Sequence, residues 1–188
     1  WKMLDNLRRT LSAPVCIFIL VSGFLLPLYP ALVWTGFILS TILLPPLLPV
    51  FSVLLPTKSR VTLLSHVRAL GEDIWLTLIQ TSLIIAFQAH QAWLMLDAIT
   101  RTLYRLTISH HNMLEWVTAA QAKLNPRLDV LGFYKQMFGS IIIAAITVLV
   151  ISVSGVHACM LAGPFILLWL IAPAIARFIS RSEERRVG

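Results

Sequence analysis

The stretch HQAWLMLDAITRTLYRL, His90 to Leu106, decides how the whole chain is read. It closes a run from Ile74 to Leu96 that contains no Asp, Glu, Lys or Arg. Such a run is long enough to cross a bilayer, which takes about 20 apolar residues in a helix. Yet Gln80, Gln88, His90 and Gln91 lie inside it, and Asp97, Arg101 and Arg105 follow at one-turn intervals. The segment therefore either crosses the membrane carrying polar groups or lies on its surface as an amphipathic helix.

Outward from this stretch, the composition points to a membrane protein. Of 188 residues, 58% are hydrophobic and 12% are charged, whereas a soluble domain carries about a quarter of charged residues. The net charge of +7 flanks apolar runs and forms no basic stripe with interleaved exposed aromatics. It is therefore assigned to topology and anionic headgroups, not to nucleic acid. Cys16 and Cys159 both sit in apolar runs, with no disulfide framework and no metal-ligand spacing. The chain opens in mid-pattern with WKMLDNLRR, as an internal piece of a longer protein would. RSEERRVG, residues 181–188, reads as the in-frame translation of a common sequencing adapter, and is set aside as an expected artefact.

The first uncharged run extends from Thr10 to Thr57, too long for one crossing. Pro27 and Pro30 bracket a natural turn, giving spans from about Ser12 to Leu26 and from Pro30 to Pro56, the second kinked or broken by Pro45, Pro46 and Pro49. The last uncharged run extends from Gln136 to Ala176. A turn at Ser154-Gly155-Val156-His157 divides it into spans near Met137–Val153 and Ala158–Ile175. Basic residues flank both hairpins and none occupies the turns.

The middle region is weighed by charge. Residues 98–135 carry Arg101, Arg105, Lys123, Arg127 and Lys135. A crossing at 74–96 would place them opposite the other basic residues, against the positive-inside preference. The polar stripe Thr77, Gln80, Thr81, Gln88, Gln91 recurs at helical spacing, and Asp97, Arg101 and Arg105 continue as a ladder. Both features favour helices lying on the cytoplasmic face. The expected architecture is thus all-α: an interface helix at 1–11, a transmembrane hairpin at 12–56, cytoplasmic amphipathic interface helices at 57–135 and a second hairpin at 136–177, with four spans in total.

Four stretches in order, WKMLDNLRRTLSAP, LLPPLLP, HQAWLMLDAITRTLYRL and HHNMLEWVTAAQA, resemble the membrane region of the cyclic β-1,2-glucan synthases, very large bacterial inner-membrane enzymes. The resemblance covers about residues 1–177. It implies a fragment lying between a cytoplasmic glycosyltransferase domain and a phosphorylase-like domain of the same chain. UDP-glucose and a divalent metal would bind in the upstream domain, and no catalytic residue or metal ligand is implied here. The implied partners are the lipid bilayer, those two domains and the nascent glucan.

Sugar polymers are held by aromatic faces and by amides or imidazoles. Gln88, His90, Gln91 and Trp93, with Trp116 and Gln121 further on, are accordingly the candidate glucan-contacting or interface residues. The competing role for each is helix packing or membrane anchoring. His110 and His111, adjacent on a helix, point about 100° apart and cannot share a tetrahedral metal unaided. Two other functional classes remain open: a small multi-span transporter or channel lined by Gln80, Gln88 and His90, and a scaffold without ligand.

Overall fold

A computed structural model describes residues 1–54, 63–110, 129–153 and 155–187. Among them the chain is helical, with no strand. The helices are α1 (Lys2–Phe24), α2 (Leu28–Leu54), α3 (Leu63–Tyr104, ending in a π-turn at Arg105–Ser109), α4 (Val130–Gln136), α5 (Phe138–Ile151) and α6 (Val156–Val187). Four of them, α1, α2, α3 and α6, are long and apolar enough to cross a membrane. α4 and α5 meet at Met137 with a bend of 66° and make a fifth candidate only when taken as one.

The all-α expectation and the number of four such helices agree with the structure, but the set of four differs. At 14 residues, α5 is about 21 Å long, less than the ~30 Å hydrocarbon core. The 42-residue α3 is about 63 Å long and contains the whole 74–96 run. The N-terminal segment expected as a separate interface helix is continuous with the first apolar run in α1, and Pro14 sits within it. α2 likewise continues through Pro45, Pro46 and Pro49. The chain reverses at Leu25–Pro27, and again before α6, where Gly155 adopts a φ of +92° that glycine enters without steric cost.

α3 is the spine of the bundle. It packs against α1, α2, α5 and α6, while α1 and α5, from the two hairpins, scarcely touch each other. Close approach is possible because Ala86, Ala89 and Ala92, one turn apart, are fully buried; small residues at such seams let helix backbones come together. Interhelical hydrogen bonds fix the order. Trp34 Nε1 of α2 donates to Ile19 O of α1 at 3.1 Å. The fully buried Trp169 of α6 donates from Nε1 to Ile85 O of α3 at 3.1 Å. Tyr134 of α4 donates to Leu170 O of α6 at 3.1 Å.

These contacts set α1, α3 and α5 running one way, and α2 and α6 the other. Arg9 stands at the level of Gln88 of α3, and Gly139 of α5 at the level of Trp93. Leu96 packs at the level of Val21, near the end of α1, so Arg101 and Arg105 follow at and past the level of the turn after α1.

Candidate functional site: the polar face of the central helix

The polar stripe of α3 faces the first hairpin. Thr77 and Thr81 are buried. Thr81 Oγ1 donates to Thr77 O at 2.8 Å, and Thr77 Oγ1 donates to Asp73 O at 2.8 Å while also lying 3.4 Å from Pro46 O of α2. Bonding back one turn satisfies both hydroxyls without water. Two turns further along, Gln88 and Gln91 line a cavity of about 270 Å³ with Arg9, Ser12, Cys16 and Thr41. Gln88 of α3 and Cys16 of α1 meet in this lining.

Pro45 and Pro46 lie inside α2, just past the residues it contributes to this cavity. Pro45 and Pro46 have no N–H, so the carbonyls of Thr41 and Ile42, one turn back, lose their helical donors. Both residues line the cavity. Arg9 reaches it already engaged, with its guanidinium 2.9 Å and 3.0 Å from the Asp5 carboxylate. The lining therefore offers amides, hydroxyls and a guanidinium that shares the Asp5 carboxylate with Arg8. It contains no paired carboxylates and no nucleophile–base pair, so its chemistry is that of hydrogen-bonding recognition. Among the described residues no group of three or more His, Cys, Asp and Glu side chains is placed to hold a metal.

The structure divides the sequence-predicted residues. Gln88 and Gln91 come together in this cavity. Trp93 does not join them: its indole lies on Gly139 of α5, filling the space where a side chain at that position would stand. His90 is half-buried, with Nδ1 enclosed and without a hydrogen-bond partner; it too lies outside the cavity lining. Asp97 and Arg101 form an exposed pair at 2.8 Å. Trp116, Gln121 and His111 lie outside the described residues. Arg9, Ser12 and Thr41 were not singled out from sequence. The available signal was the Pro45-Pro46 pair, which necessarily strips two carbonyls of their donors.

No protein-family model matches the chain. Over 185 residues, 98% of its length, the chain is 32% identical to the cyclic β-(1,2)-glucan synthase NdvB of Rhizobium meliloti, strain 1021. The matched segment makes up 6% of that protein. The chain is thus a homologue of a fragment of that synthase, and spans only a small part of the curated relative's length.

Proposed function

We propose that this chain is the membrane-embedded module of a synthase that polymerises glucose from UDP-glucose into cyclic β-1,2-glucan, and that it anchors and docks the catalytic domain. The observation that carries the reading is the identity running across almost the whole chain to a segment of a cyclic β-(1,2)-glucan synthase. The bundle suits the role: one long helix ties two hairpins together, giving a stiff platform. The start of α1, with Lys2, Arg8 and Arg9 before the first uncharged run, faces the cytoplasm of the bacterial inner membrane, as the positive-inside preference favours for that flank. The transferase and phosphorylase-like domains of the same chain meet the module there.

Within this reading the Gln88–Gln91 cavity is where glucan hydroxyls are met, and Trp93 is a packing residue. A transporter of this size gains little support, because the cavity lies against the first hairpin and is not a path along the bundle axis.

The test exchanges residues 1–177 of the full synthase chain for an unrelated helical anchor with the same number of crossings. Membranes are then assayed for incorporation of labelled UDP-glucose into cyclic glucan. The expected result is a membrane-bound protein with little or no glucan. Undiminished synthesis from the exchanged chain would reduce the module to a replaceable tether and overturn the docking role.

A further inference from the structure

The cavity that Gln88 and Gln91 share with α1 and α2 is a dead end. Exposed residues, Arg9, Ser12, Thr41 and Gln91, make its rim, while the buried Ala13 and the half-buried Cys16 and Ile42 close its floor. The three helices pack on one another behind it, so a group that enters by the rim goes no further. At about 270 Å³ it falls just below the ~300–1,000 Å³ of sites that enclose drug-sized molecules. One pyranose ring fits such a space; a run of linked rings does not.

The wall is also wrong for holding a chain along its length. That task calls for aromatic faces under successive rings, and no residue lining the cavity is aromatic; Trp93 is seated on Gly139 of α5 instead. The wall offers hydrogen bonding in both senses. The hydroxyls of Ser12 and Thr41 donate to carbonyls of their own helices, each at 2.9 Å, and their oxygens still accept. The amides of Gln88 and Gln91 donate and accept. Arg9 gives Nε and one Nη to Asp5 and keeps further N–H donors. An anion answers donors alone and leaves the acceptors empty. A sugar ring, whose hydroxyls donate and accept around one edge, answers both.

We propose that this cavity holds the terminal glucosyl unit of a linear β-1,2-glucan and refuses the closed ring. The inference rests on the reading that glucan is met here, and adds to it a dependence on the state of the chain. Every unit of a ring has a neighbour on both sides, and a dead end with room for one unit cannot admit a unit that continues in two directions. The growing polymer is held by its tip, and ring closure removes the tip.

The test uses the full synthase chain that carries this segment, reconstituted in lipid nanodiscs without UDP-glucose, and a diazirine-bearing linear β-1,2-glucotetraose as the probe. Label is read on the peptides of α1, α2 and α3 that line the cavity, separately from label taken up by other domains. Unlabelled linear tetraose should compete for it, and cyclic β-1,2-glucan at the same molar concentration should leave it unchanged. Gln91→Leu replaces an exposed side chain, so the packing stays in place, and should weaken this labelling about two- to tenfold, the range of one hydrogen bond. Displacement by the cyclic glucan as effective as by the linear one overturns the selection of chain ends and leaves the glucan reading standing. No label on these peptides, or equal labelling of Gln91→Leu, overturns contact with glucan at this cavity and the inference with it.

Discussion

Replacing Gly139 with alanine tests whether Trp93 is a packing residue. A Cβ at this position overlaps Cγ, Cδ1 and Cδ2 of the Trp93 indole, a rigid ring with no flexible end to give way. Two effects oppose each other. Alanine is favoured over glycine in a helix interior by up to ~1 kcal/mol, somewhat less here because Gly139 is in the first turn of α5. Overpacking typically costs about 1–3 kcal/mol. With Trp93 present the clash wins, and Gly139→Ala should destabilise the bundle by about 1–2 kcal/mol. In a Trp93→Ala background the clash is gone and only the helix preference remains. The same substitution should then stabilise by a few tenths to ~1 kcal/mol. The sign reverses, a coupling within the range that contacting residues show. Detergent-induced unfolding in mixed micelles, followed by far-UV circular dichroism, measures all four members of the cycle without depending on the tryptophan signal. Equal effects of Gly139→Ala in both backgrounds would refute the seating of Trp93 on α5 and return its face to the sugar-stacking candidates.

Two other expectations concern the site and the topology. Gln88→Leu with Gln91→Leu removes the amides of the cavity on α3. Each hydrogen bond lost is worth about 0.5–1.5 kcal/mol, so glucan elongation by the full synthase should slow about two- to tenfold per bond, with insertion intact; an unchanged distribution of chain lengths would exclude contact with glucan. For the topology, Thr102 is exposed near the end of α3. With Cys16 and Cys159 replaced by serine, Thr102→Cys should react with an impermeant maleimide from the periplasmic side and Lys2→Cys should not. Protection of both would place the end of α3 on the cytoplasmic side and contradict a crossing by α3.

The helical class was legible because long uncharged runs have few other outcomes. The role of α3 was harder to read, for a definite reason. Periodicity shows that Thr77, Gln80, Thr81, Gln88 and Gln91 share a face, but not whether that face meets water or another helix. The usual inference is water, because polar groups need partners. The threonines escape it by bonding to their own helix, and Gln88 is half-buried beside Cys16 of α1. Gly139 as the partner of Trp93 was likewise invisible, since a glycine that leaves room for a distant ring has no local signature.

The better cue was the alanine spacing in AFQAHQA, residues 86–92. Ala86, Ala89 and Ala92 follow one another at three-residue steps, and all three are buried. A helix lying on a membrane surface gains from large apolar side chains on its buried face, because its affinity grows with the apolar area inserted. A helix packed among others within the bilayer gains nothing from area against lipid, and is held by close backbone approach, which favours small side chains. The alanines therefore mark α3 as packed among the other helices, which the glutamines alone do not. The amides beside them fit the same account: Gln88, half-buried, and Gln91, exposed, border the alanine seam and line a cavity shared with α1 and α2.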